Sequence, residues 1–177
     1  MWKPKRRRVE IMGVPVEKIM VPIKMVACLN RKMTLRQADE IFKQNGSTVG
    51  GEVFPLKGTV VLDEEGNLIG IASMKDILKI VIPRYVQGSL VGITYDEQLE
   101  DRVAKVWDTE LVEDIMIEDV KVVKYNDSIM KCLEIMNEKG FQRMPVVDDE
   151  GRIIGMIYIR KLYEYVSSKA PVNGGVK

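Results

Sequence analysis

Two stretches decide the fold, VLDEEGNLIGI at 61–71 and VVDDEGRIIGM at 146–156. Each is an apolar run, an acidic turn closed by glycine, and a second apolar run. The first reads as a hairpin of Val60-Val61-Leu62, the turn Glu65-Gly66-Asn67, and Leu68 to Ala72. The second reads as Pro145 to Val147, the turn Glu150-Gly151-Arg152, and Ile153 to Tyr158. Glycine at each turn supplies the positive φ that a tight hairpin needs.

Working outward, the same elements recur around both hairpins. LRQADEIFKQNG (35–46) and IMKCLEIMNEKG (129–140) precede them, and their apolar positions coincide as Leu35/Ile129, Ala38/Cys132, Ile41/Ile135 and Phe42/Met136. That spacing is one stripe of an amphipathic helix. Thr34 and Gln37 form a capping box, Asp127 or Ser128 caps the second helix, and Gly46 and Gly140 stop the two helices. A strand precedes each helix (Met25 to Leu29 and Lys121 to Lys124), and a further helix follows each hairpin (Lys75 to about Gln87, and Ile159 to about Ser168). Further upstream stand VEKIM (16–20) and VEDIM (112–116). The chain is therefore a tandem repeat, and each copy is a β-α-β-β-α unit. The expected class is α+β (mixed α/β), with two repeats packed sheet to sheet as one pseudo-symmetric body, because neither hairpin buries both faces alone.

The expected organisation is a basic arm over 1–15, repeat 1 over 16–87, a helix and linker over 88–111, repeat 2 over 112–168 and a tail over 169–177. Repeat 1 carries an insertion at 47–58, STVGGEVFPLKG, read as a flexible excursion because Gly50-Gly51 lacks the context of a phosphate-cradling loop. In the linker, Asp96 to Trp107 reads as a helix with Leu99, Val103 and Val106 or Trp107 as its stripe. Two readings of Trp107 stand side by side: a cap on the unit's own core, and an anchor for a dimer.

Composition excludes most catalysts. The 177 residues contain no histidine and two cysteines, Cys28 and Cys132, which form no Cys-x-x-Cys pair. Imidazole general bases, Ser-His-Asp machinery and His-ligated zinc are absent, and two lone cysteines suit a reducing cytoplasm. No apolar run approaches the roughly 20 residues of a membrane span. Five of the first eight residues are basic (Lys3, Lys5, Arg6, Arg7 and Arg8), leaving 22 basic against 26 acidic residues in the body. This arm reads either as a solvated tail or as a contact for nucleic acid, lipid or an acidic partner.

The V-E-x-I-M lead-in, the V-h-D-x-x-G-x-h-h-G-h run and its following helix resemble the CBS (cystathionine-beta-synthase) domain, and two in tandem resemble a CBS pair, or Bateman module. The resemblance covers about 16–168. It implies pseudo-two-fold pairing of the repeats through their sheets, clefts that bind adenosine-containing ligands, frequent homodimers, and regulation of another protein, here as a stand-alone module. The family's G-h-h-[ST]-x-x-D motif is matched by Gly70-Ile71-Ala72-Ser73-Met74-Lys75-Asp76. A carboxylate at a helix start accepts ribose hydroxyls, and a hydroxyl there suits a phosphate. The alternative is that Ser73 and Asp76 merely cap the helix.

Repeat 2 departs from the motif, with Tyr158 at the Ser/Thr position and Lys161 at the Asp position. A lysine only donates and cannot accept a ribose hydroxyl, so this second cleft looks degenerate for nucleosides. Arg160 and Lys161 are candidate phosphate contacts in it. The resemblance implies that the Asp76 site is completed by Glu118 to Val120, and by Gln142, Arg143, Met144 and Pro145, with Arg143 on the phosphate and Val120, Met144 and Pro145 beside the base.

The leading function is a ligand-sensing regulatory module for an adenosine nucleotide: AMP first, then ADP, ATP or S-adenosylmethionine. It needs no cofactor, although Mg²⁺ is compatible as a regulatory input. The rival is a protein- or nucleic-acid-interaction subunit with vestigial clefts, motivated by Lys3 to Arg8. Enzymatic activity is not expected, since the acidic clusters Asp63-Glu64-Glu65 and Asp148-Asp149-Glu150 sit at hairpin tips.

Overall fold

The computed structural model describes residues 13–49, 52–54, 56–81 and 104–169. Both deciding stretches form antiparallel hairpins. Strand β5 (Gly58–Leu62) pairs with β6 (Leu68–Ser73), and β8 (Arg143–Val147) pairs with β9 (Ile153–Tyr158). Gly66 and Gly151 take φ of 85° and 81° in the turns. The first acid of each cluster ties its turn together. Asp63 Oδ1 accepts from the amides of Glu65 and Asn67 at 3.0 and 2.7 Å, and Asp148 Oδ1 accepts from those of Glu150 and Arg152 at 3.0 and 2.9 Å. The aspartate of V-h-D-x-x-G is thus a turn residue in both copies.

Helix α1 (Leu35–Gln44) opens on the expected capping box: Thr34 Oγ1 accepts from the Gln37 amide at 3.3 Å, and Gln37 Oε1 accepts from the Thr34 amide at 2.9 Å. Its end differs from expectation. Asn45, not Gly46, closes it, with Nδ2 donating to the Ile41 carbonyl at 2.9 Å. That side chain satisfies a last-turn carbonyl, so no left-handed glycine is needed. The second hairpin is preceded by a helix over Ile129–Lys139. It starts at Ser128, whose hydroxyl accepts from the Lys131 amide, and stops on Gly140 at φ 68°. The helices after the hairpins run Met74–Val81 and Ile159–Ser168. In chain order these three are α3, α2 and α4. Residues 82–87, expected to extend α2, lie outside the described ones.

The matched stripe is the core of each copy. Leu35, Ala38 and Phe42 are fully buried, as is Cys132, with Ile129 and Met136 at 1% exposure. At about 1.5–3 kcal/mol for each large apolar side chain removed from water, this stripe outweighs helix propensity in fixing α1 and α3. Burial pushes the Cys132 thiol up to about 11, so it stays a neutral core group.

The segment 47–58 is not a structureless excursion. Strands β3 (Ser47–Val49) and β4 (Glu52–Phe54) pair antiparallel, with Ser47 opposite Phe54 and Val49 opposite Glu52. Gly-Gly between two β-prone triplets is a hairpin signal that the phosphate-loop question obscured. In the linker, residues 104–109 are helical and 96–103 lie outside the described residues. Val106 and Trp107 pack on the core built around Leu29, Leu35 and Phe42, so Trp107 serves its own unit.

Strand β2 (Leu29–Asn30) runs parallel to β5, and β7 (Val123–Lys124) runs parallel to β8. Met25, expected in the first strand, belongs instead to a 3-10 turn, Ile23–Met25. The compact units do not follow the repeats as they run in sequence. One unit, here the central unit, is Ala27–Val120; the other, the terminal unit, joins Met1–Val26 to Lys121–Lys177. Each V-E-x-I-M lead-in thus packs on the body of the other copy. In the terminal unit β1 (Val21–Pro22) pairs antiparallel with β9, Val21 opposite Met156 and Pro22 opposite Gly155. In the central unit Ile117 exchanges both backbone hydrogen bonds with Ile71 of β6, at 2.8 and 3.0 Å.

Glycine permits this exchange. A Cβ at Gly155 would stand 2.7 Å from the Val21 carbonyl oxygen and 2.9 Å from Met20 Sδ; one at Gly70 would stand 3.0 Å from Met116 Sδ and 3.2 Å from the Ile117 carbonyl oxygen. Gly155→Ala should therefore lower stability by about 1–3 kcal/mol, the cost of overpacking against backbone. An unchanged urea midpoint would contradict this contact.

The turn aspartates give a pH signature. Hydrogen bonds from the Asn67 side chain and amide hold the Asp63 carboxyl below its usual range. Desolvation pulls Asp148 upward, but the Arg152 side chain and amide outweigh it and the net direction is down. A depressed carboxyl contributes stability above its unfolded pKa and loses it as pH falls through the folded one. Urea titrations from pH 7 to pH 3 should show Asp148→Ala less stable than the parent at pH 7, and the difference shrinking at pH 3.

Candidate functional site

Strand β6 ends at Ser73, and α2 begins at Met74, whose amide donates to the Lys57 carbonyl at 3.1 Å. The register opposite Ser73 falls on Gly58, where a Cβ would come within 2.6 Å of Ser73 Cβ. This bare backbone seats Ser73 at the helix start. One turn on, Asp76 is 7% exposed, one of two buried polar or charged side chains among the described residues. Ser73 Oγ donates to its Oδ2 at 2.5 Å, and Lys79 Nζ donates to its Oδ1 at 2.7 Å. A buried carboxylate is tolerated only with such partners. It has about four acceptor sites, of which these bonds use two. The remaining acceptors suit a vicinal diol, and the adjoining helix start favours negative charge. The other buried polar side chain is Thr59, next to Gly58, whose hydroxyl donates to the Ala27 carbonyl at 2.6 Å.

Val120 belongs to the same unit as Ser73 and Asp76, carried there by the exchanged lead-in, and is half-buried. Gln142, Arg143, Met144 and Pro145 belong to the terminal unit. Gln142 is exposed, and its carbonyl accepts from the Ile159 amide at 3.0 Å, the counterpart of the Lys57–Met74 bond. Met144 is 1% exposed and part of that unit's core; Pro145 is buried beside it. Arg143 lies opposite Tyr158 across β8 and β9. Desolvation lowers its guanidinium from the ordinary value, with Tyr158 opposing. A cation that remains charged while partly desolvated gains from a neighbouring anion.

In repeat 2, Arg160 Nε and Lys161 Nζ both bond Glu164, at 2.8 and 3.3 Å. The Asp76–Lys79 pair of α2 thus recurs in α4 with its charges exchanged. Lys79, Gly58 and Thr59 are the residues that the reading of the sequence missed. The i, i+3 spacing of Asp76 and Lys79 was a legible signal for the first. The other two depend on strand register. Among the described residues no group of three or more His, Cys, Asp or Glu is gathered as metal ligands, and no helix is long and apolar enough to cross a membrane.

Comparison with known proteins agrees with this construction. The chain is 26% identical over 145 residues to inosine-5'-monophosphate dehydrogenase of Methanocaldococcus jannaschii, a match over 76% of this chain but 24% of that enzyme's length. Its fold matches a CBS domain-containing protein of Bacillus anthracis str. Ames Ancestor with a TM-score of 0.70 at 21% identity, covering 92% of this chain and 99% of that one. It also matches CBSX2 of Arabidopsis thaliana, solved in complex with AMP, with a TM-score of 0.65 at 20% identity, covering 88% and 98%. The CBS domain family matches residues 16–83 and 112–168, most of the chain and both copies of the repeat, and the chain belongs to that family as a tandem CBS pair.

Proposed function

We propose that this CBS pair is a regulatory module that senses an adenosine nucleotide, AMP before ADP, ATP or S-adenosylmethionine, at the Ser73–Asp76 site. The observation that carries the reading is the buried Asp76 carboxylate at the start of α2, held by Ser73 and Lys79 with acceptor capacity left over. A structural cap needs no burial of the charge, and burying a carboxylate costs stability unless its bonds repay it. The AMP complex of CBSX2, a protein of the same fold, supports the ligand class. The ribose hydroxyls donate to the Asp76 carboxylate. Binding then shifts the population of the chain's conformations or of a homodimer, which a regulated protein reads. The basic arm Lys3 to Arg8, which motivates the rival reading, lies outside the described residues.

Calorimetry tests this directly. AMP should bind at one per chain, and Asp76→Asn, which preserves shape while removing the charge, should weaken it about tenfold or more. No heat with AMP, ADP, ATP or S-adenosylmethionine would overturn the reading.

A further inference from the structure

The terminal unit contains a cleft of about 510 Å³ lined by Lys18, Ile19, Met20, Val21, Pro22, Met25, Lys161 and Glu164. The lead-in supplies one wall and α4 the other. The backbone that forms it repeats in the central unit, since VEKIM aligns with VEDIM and β9–α4 with β6–α2. Its charged positions do not repeat. Lys18 stands where the central unit has Asp114, Lys161 where it has Asp76, and Glu164 where it has Lys79. All three charged positions lining the cleft have the opposite sign to their counterparts.

The exchanged charges have different work to do. Asp114 spends its carboxylate on its own turn, accepting from the Leu111 amide at 2.7 Å. Lys18 has no ion pair among the described residues. Glu164 is held by both Arg160 and Lys161, and these bonds keep its carboxyl below the usual range. One acid is therefore shared by two cations, and Lys18 adds a third positive charge. The rest of the lining, Ile19, Met20, Val21, Pro22 and Met25, carries no side-chain charge. The carboxylate that lines the cleft, Glu164, is already bound by Arg160 and Lys161, and Lys161, which only donates, stands at the position that Asp76 holds in the other copy.

We infer that this cleft is a second ligand site of reversed selectivity, taking a small phosphorylated anion through Lys18 and Lys161 rather than a nucleoside through its ribose. Ammonium groups on two walls suit a ligand with two adjacent negative charges, and pyrophosphate is the simplest such probe. The site is independent of the Asp76 reading, since it uses different residues in a different unit. The tandem pair then registers two inputs, one recognised by hydroxyls and one by charge.

The test is titration of the whole chain with inorganic pyrophosphate in low-salt buffer, followed by calorimetry, with circular dichroism to check each variant's fold. Lys18→Ala and Lys161→Ala should each weaken pyrophosphate about fivefold or more, and raising the salt should weaken the parent too. Asp76→Asn should leave pyrophosphate affinity unchanged, which separates this site from the nucleotide site. Absence of pyrophosphate binding by the parent chain, or equal affinity in the parent and both lysine variants, would overturn the inference.

Discussion

The structure depends on a close approach between two backbones. The lead-in of each repeat lies across a glycine on the last strand of the other copy's sheet, with a methionine thioether over the same glycine. The V-E-x-I-M motif gains a physical meaning from this arrangement. Its valine is the anchor: Val16 and Val112 are both fully buried, in the cores of the terminal and central units respectively. Its next residue continues the backbone attachment. The amides of Val16 and Glu17 donate to Asp127 and Tyr125, and those of Val112 and Glu113 donate to Met33 and Arg31. Its methionine then covers the glycine. One constraint thus explains the motif, the glycine in G-h-h-[ST]-x-x-D, and the composition of the compact units.

The same constraint positions chemistry. In the terminal unit this brings Lys18 into one cleft with Lys161 and Glu164. In the central unit it carries Val120 into the unit of Ser73 and Asp76. Duplication has therefore kept the backbone and freed a few side chains to change sign. Reversing Asp76–Lys79 into Lys161–Glu164 leaves an i, i+3 ion pair in place, so it costs the helix little.

Much of this was legible in the sequence, for identifiable reasons. Hairpins and amphipathic helices follow local periodicity, so the β5–β6 and β8–β9 hairpins, the Leu35/Ile129 stripe and the Thr34 capping box emerged from residues close together in the chain. The exchange of lead-ins did not emerge from spacing, because Val21 and Met156 are far apart in sequence and no period connects them. Gly46 misled because asparagine at 45 can close a helix with its own side chain. The acidic clusters read as solvated tips, whereas their first aspartates bind the turns. For the site, Ser73 and Asp76 were found by motif. Asp76's burial and its bond to Lys79 came from packing. The sign reversal was present in the aligned repeats all along and became meaningful once Lys18 and Lys161 shared a cleft.

The central claim is that each copy's body is completed by the other's lead-in, and fragment complementation tests it most directly. A fragment covering residues 121–169 should remain unfolded alone, because β9 lacks β1 and the core lacks Val16, and should gain amide dispersion by NMR when a peptide of residues 13–26 is added. A fragment that folds fully by itself, or that responds equally to a peptide of residues 110–120, would contradict the account.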